Sequence, residues 1–129
     1  MDTDVASRLH KNSLPPQLAA RIAGRRALLT FVTLGELTKW VEVRHWGNTR
    51  RQNFSDWVSG FAVLEGDESV ATTWGRIAAQ AQLRGQTGPQ NDSWIAAACL
   101  THDLPLATLK VKDFQRFVDH NGLRLITAE

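Results

Sequence analysis

The chain is poor in cysteine. Cys99 is the only one, so no disulfide can form within the chain, and a lone thiol suits a reducing, cytoplasmic compartment. No apolar stretch approaches the ~20 residues that cross a bilayer, which excludes a membrane-spanning helix. Internal repeats, low-complexity tracts and long linkers are all missing, so residues 1–129 are expected to form one domain, long enough to bury a core. Met1-Asp2 is not followed by a basic segment and an apolar run, so no secretory signal is expected. Acidic residues are scarce early on. Arg8 to Arg51 holds nine Lys or Arg against Glu36 and Glu42, a local charge of +7, although the whole chain carries only +2. A basic half of this kind either contacts a polyanion or forms solvated helix faces.

What is present alternates. Pro15-Pro16 opens a short helix carrying Leu18 and Ile22, closed by Gly24. The run Ala27–Val32 (ALLTFV) has the length and continuous apolarity of a strand buried on both faces. A helix is expected from Thr33, with Leu34, Leu37 and Val41 in helical register and Trp46-Gly47 at its end; another covers Arg50 to Ser59. Phe61–Leu64 reads as a second buried strand. Asp67 N-caps a helix whose one face carries Val70, Trp74, Ile77 and Ala81. Helix Ser93–Leu100, strand Leu104–Thr108, helix Lys112–Asp119 and strand Leu123–Ile126 complete the chain. Strands alternating with helices define an α/β domain with a mainly parallel sheet. Asp2-Thr3-Asp4 reads as the end of a first strand, with Met1 to Val5 as its minimal extent.

In an open parallel sheet, ligands bind beyond the carboxyl ends of the strands. Asp2 and Asp4, Glu36, Asp92 and Asp113 all map there. Each has an ordinary structural role. Asp2 and Asp4 suit a turn, and Glu36 closes a capping box on Thr33. Asp92 complements a helix N-terminus, and Asp113 suits a helix entry. Their joint placement is harder to explain that way, because converging carboxylates repel unless protons or a cation intervene. Hard divalent ions such as Mg²⁺ or Mn²⁺ suit an all-oxygen site, and such ions activate water and stabilise phosphoryl charge.

These motifs resemble the PIN-domain ribonucleases, specifically the VapC-type toxins of bacterial toxin–antitoxin pairs. Asp2-Thr3-Asp4-Val5 is similar to the opening Asp-Thr-Asn/Ser-Val motif, and Thr33-Leu34-Gly35-Glu36-Leu37 to the second. Asn91-Asp92-Ser93-Trp94-Ile95-Ala96-Ala97 resembles the Asp-x-x-Ile-Ala-Ala helix. Leu106-Ala107-Thr108 and Val111-Lys112-Asp113-Phe114 resemble the closing segment. The resemblance covers essentially the whole chain. It implies a three-layer α/β/α domain and Mg²⁺- or Mn²⁺-dependent hydrolysis of RNA. It also implies inhibition by a cognate VapB-type antitoxin and a homodimer or toxin–antitoxin hetero-oligomer. By position, Asp2, Glu36 and Asp92 are the implied catalytic and metal-binding acids, with Asp113 the fourth catalytic residue. Asp4 and Thr108 are supporting residues. Lys110 departs from the pattern, standing where the family usually has Asn.

Arg25, Arg26, Arg50, Arg51 and Lys112 are the candidate RNA contacts on charge. Trp46, if exposed, could stack a base, although a Trp at a helix end ordinarily packs. Leu9, Leu18, Ile22, Leu34, Leu37 and Val41 are candidate antitoxin contacts, or else core. Two other readings stand beside this one. Asp2-x-Asp4 and the late Asn-Asp also evoke haloacid-dehalogenase-like phosphatases, but no Lys lies between Asp67 and Asp92 to serve that chemistry. A catalytically impaired RNA- or antitoxin-binding module would keep the fold and lose the reaction.

Overall fold

The computed structural model describes all residues 1–129. The elements run α1 (Thr3–His10), α2 (Pro16–Ile22), β1 (Leu28–Thr30), α3 (Phe31–Val43), α4 (Asn48–Ser59), β2 (Ala62–Leu64), α5 (Glu68–Leu83), α6 (Gln90–Thr101), β3 (Leu106–Ala107), α7 (Val111–Asn121) and β4 (Leu125–Ile126). The strands form two parallel pairs. β1 pairs with β2 in the register Leu28–Ala62, and β3 with β4 in the register Leu106–Leu125. The start of the chain lies between the pairs. The Met1 nitrogen donates to the Leu28 carbonyl at 3.1 Å, and the Asp2 N–H donates to the Ala107 carbonyl at 3.1 Å.

Two apolar clusters flank this layer. One joins Val70 and Ile77 of α5, Ile95 to Cys99 of α6, and Phe114 and Phe117 of α7. The other joins Val5, Leu18, Leu37, Val41 and Phe54 from α1 to α4. Successive strand residues point to opposite faces. Leu106 accordingly packs into the first cluster and Ala107 into the second. That alternation makes the domain three-layered, α/β/α, as the resemblance implies.

Several boundaries move for local reasons. Met1 to Val5 form no strand. The Asp2 carboxylate accepts the Val5 N–H at 2.9 Å and so N-caps a helix starting at Thr3. ALLTFV shortens to three residues because Thr30 caps α3, accepting the Thr33 N–H at 3.2 Å. Thr33 therefore lies inside the helix, and the expected Thr33–Glu36 capping box does not form. Asp67 caps α5 as expected, accepting the Val70 N–H. Trp46 is not exposed. It is 7% accessible, wedged against Trp40 and Phe54, so it has no free face for a base. Of the apolar residues considered for a partner, Leu18, Leu37 and Val41 are core. Leu9, Leu34 and Ile22 are half-buried.

Candidate active site

Asp2 is the most enclosed acid, 3% accessible. Besides the Val5 N–H, its carboxylate accepts the Thr108 hydroxyl at 2.5 Å. Thr108, wholly buried just past β3, accepts the Lys110 N–H at 2.9 Å. Its hydroxyl is thus aimed at Asp2 from a fixed position. Burial nevertheless outweighs these bonds and raises the Asp2 pKa above the usual aspartate value.

Asp92 stands opposite, in the first turn of α6. That helix starts at Gln90, after Pro89, so Asp92 lies inside the turn and not at its mouth. Its pKa is also raised. Desolvation comes first, then repulsion by Asp113 and, more weakly, by Asp2; Lys110 and Arg116 act the other way. The fold thus brings Asp2, Asp92 and Asp113 into electrostatic contact. Asp113 is the exposed member, on the first turn of α7.

Glu36 joins from the α1–α3 side. Its Oε1 accepts the Thr3 hydroxyl at 2.8 Å. Glu36 and Asp4 line a groove of about 540 Å³ whose wall also includes Asn91 and Lys110. Lys110 makes no ion pair within 4.0 Å: the three such pairs in the chain are Arg8–Asp4, Arg51–Glu42 and Arg124–Asp103. Its side chain is exposed and lines the groove, near enough to Asp92 to favour that residue's charged form.

The sequence did not single out Thr3 or Arg116. Thr3 lies within the opening motif, and only the α1–α3 packing reveals its bond to Glu36. Arg116 has no local signature. Its guanidinium passes so close to Gly88 that a Cβ there would lie 1.8 Å from Nη1. A residue without a side chain is what lets the arginine lie near Asp92.

The cations expected to meet RNA are dispersed. Arg25 and Arg26 line a separate cavity of about 290 Å³ with Met1, Leu28, Leu104 and Pro105, which shares no residue with the groove of Glu36. The Arg50 guanidinium stacks 3.9 Å from the Trp46 ring centroid. Arg51 is bound to Glu42 at 2.5 Å and to the Trp46 carbonyl at 2.7 Å. Lys112 is exposed on α7.

The donor set fits a hard divalent cation in kind. Every acidic ligand is a carboxylate, and a positive ion would offset the repulsion at Asp92. No three Asp, Glu, His or Cys side chains converge tightly enough to ligate one ion together. Mg²⁺ often binds through one or two carboxylates and keeps several waters, which suits an acid set spaced this way.

An α/β/α domain with its acids gathered at the carboxyl ends of parallel strands defines a class of carboxylate-centred hydrolytic sites. The PIN domain profile matches residues 1–118, and the chain belongs to the PIN domain family. The chain is 28% identical over 130 residues to Ribonuclease VapC1 of Haemophilus influenzae strain R2866, covering 92% of this chain and 91% of that protein. The structure of VapBC-1 from nontypeable Haemophilus influenzae superposes with a TM-score of 0.80 at 27% identity, over 98% of this chain and 95% of the other. FitAcB from Neisseria gonorrhoeae superposes at 0.82 over 98% and 95% of the two chains, and at 22% identity it speaks to the fold alone. The PIN assignment replaces the phosphatase reading. No helix is long and apolar enough to cross a membrane.

Proposed function

We propose that the chain is a VapC-type ribonuclease toxin, a metal-dependent endonuclease that hydrolyses RNA phosphodiester bonds and is blocked by a VapB-type antitoxin. The observation that carries this reading is the buried Asp2 carboxylate, fixed by the Thr108 hydroxyl and the Val5 N–H, with Asp92 near enough to feel its charge. The relationship to Ribonuclease VapC1 supports the activity, and the likeness to VapBC-1 supports the partner.

Asp2, Asp92 and Glu36 are the residues that would hold a Mg²⁺ or Mn²⁺ ion, which would supply positive charge for the phosphoryl group and acidify a water. The protein's own groups do the rest. Thr108 and the Val5 N–H fix the Asp2 carboxylate, so its orientation needs no rearrangement when substrate arrives. Asp92 is repelled by Asp113 and Asp2, and a cation held there would relieve that repulsion and favour its charged form. Thr3 holds Glu36 toward the groove. Lys110, at the rim, is placed to meet a phosphate oxygen or to weaken cation binding by repulsion. Single-stranded RNA suits an open groove better than the deep, narrow major groove of an A-form duplex.

The test is Asp92→Asn, purified beside the parent and assayed on single-stranded RNA with Mg²⁺, Mn²⁺ or EDTA. The parent cleaves only with metal, and the variant loses at least ~100-fold while its circular dichroism is unchanged. A fully active, metal-independent variant would refute the mechanism. Growth arrest on induction, lost in Asp92→Asn, separates the toxin from an inert binding module.

A further inference from the structure

We infer that RNA approaching this site is held along the α1–α3 wall, with Lys11 and Arg44 as phosphate contacts and Trp40 as the residue that positions both. This rests on the ribonuclease reading and adds where the strand lies. The 540 Å³ groove that contains Glu36 and Asp4 continues between the two helices, where Lys11, Lys39 and Arg44 line it. Neither Lys11 nor Arg44 has a carboxylate within 4.0 Å, since all three ion pairs of the chain lie elsewhere. Both are held nonetheless. The Lys11 Nζ and the Arg44 guanidinium carbon each lie 4.7 Å from the centroid of the Trp40 ring. A cation held by an aromatic ring keeps its full charge while losing much of its side-chain freedom. Such a cation is prepared for an anion.

The spacing suits a strand. Asp4 and Ser7 lie on α1 with Lys11 as its C-cap, and Glu36 and Trp40 lie on α3 with Arg44 as its C-cap, all at helical intervals. At ~1.5 Å per residue, the cations lie ~10–12 Å from the acids of their own helices. That is about three nucleotides of a stacked strand at ~3.4 Å each. Of the catalytic candidates the groove carries Glu36, and along the same wall lie the cations that would meet phosphates, so distance from Trp40 would set which bond reaches the acids. Arg51 is spent on Glu42, and Arg25 and Arg26 line a different cavity, so none of these supplies the same path.

Binding is read in the Asp92→Asn background, which separates holding RNA from cutting it. Fluorescence anisotropy with a labelled 12-nucleotide single-stranded RNA compares the Asp92→Asn protein with the same protein carrying Lys11→Gln and Arg44→Gln. Affinity is expected to fall about 10-fold or more at low salt. The slope of log affinity against log salt should shrink by about 1.4, the value for two phosphate contacts on a single strand. Arg25→Gln with Arg26→Gln leaves both unchanged. Trp40→Leu reproduces part of the loss, and Trp40→Phe, which keeps an aromatic face, restores most of it at equal thermal stability. In the cleaving protein, Lys11→Gln with Arg44→Gln raises KM and spares kcat. The inference is overturned if the Lys11 and Arg44 changes leave affinity and salt slope intact, or if the Arg25 and Arg26 changes cause the larger loss. A loss of binding to poly-glutamate alone, with RNA unaffected, would make the arm a protein-binding surface and overturn it equally. Failure of the parent to cleave while these binding differences persist would count against the ribonuclease reading and leave this one standing.

Discussion

Asp2 and Asp92 carry the same carboxyl group at the same edge of the sheet, and both resist ionisation. Asp2 is buried, caps α1 and receives the Thr108 hydroxyl. Asp92 is half-buried in the first turn of α6, with no hydrogen bond from the protein to its carboxylate, and its environment is set by charges: Asp113 and Asp2 against it, Lys110 and Arg116 for it. The contrast separates two ways of building one site. Asp2 is tied into the fold, so its orientation is fixed at the cost of coupling chemistry to stability. Asp92 is held by the helix alone, so it can respond to a cation or a proton without disturbing the core.

Removing each carboxylate makes the widest test. Asp2→Ala and Asp92→Ala are both expected to lose at least ~100-fold in RNA cleavage. Only Asp2→Ala also loses stability, by about 1–3 kcal/mol in urea unfolding, because a cap is lost and the buried Thr108 hydroxyl is left without its acceptor. Equal stability losses in the two variants would erase the distinction. Thr108→Val sharpens it at smaller scale. It keeps the shape and deletes the donor, and an expected loss of about 1 kcal/mol accompanies a drop in activity of about 10-fold. Activity that survives unchanged would show that Asp2 needs no orienting partner.

The pH dependence of folding separates the pair again. A carboxyl whose folded pKa is raised binds protons more tightly in the folded state than in the unfolded state. Between the unfolded value, about 4, and the folded value, stability therefore falls as pH rises. Both acids contribute that slope in metal-free protein. Asp92→Asn removes one contribution, so in EDTA the variant should lose less stability than the parent between about pH 4 and neutrality, and be equal or more stable at pH 7. Parallel curves would mean that Asp92 does not feel its neighbours.

The same contrast governs what the sequence made legible. The alternation of strands and helices and the Asp67 cap follow from apolar periodicity and cap chemistry, which are local, whereas the three layers came with the family resemblance. The first motif misled because Asp2 was read as the end of a strand. The Asp2 carboxylate instead accepts the Val5 N–H and caps a helix that starts at Thr3. Thr30 took the cap of α3 in the same way, one turn before the expected Thr33, and so left Glu36 to the hydroxyl of Thr3. Trp46 was ambiguous because burial depends on α4 folding back to bring Phe54 against it. The basic residues were least legible. Charge counts showed that the first half is cationic, but which guanidinium meets Glu42, which stacks on Trp46 and which lines the groove is fixed by tertiary packing.

Lys110 gives the smallest expected effect and sharpens the comparison most narrowly, because it acts on Asp92 and leaves Asp2 tied down. Its backbone is fixed by Thr108, while its ammonium lines the groove and eases the ionisation of Asp92. A cation near a carboxylate favours its charged form and also repels any second cation that the carboxylate would bind. The two effects oppose each other. The ammonium is exposed and screened by salt, so the net change is modest. Repulsion acts on a divalent ion's full charge, whereas the eased ionisation matters little at neutral pH, so repulsion prevails. Lys110→Asn is therefore expected to tighten Mg²⁺ or Mn²⁺ binding by about 2–5-fold in calorimetric titration. The gain should shrink as KCl is raised, because salt screens the repulsion between the ammonium and the bound ion. Unchanged metal affinity at low salt would remove the ammonium from any account of this site.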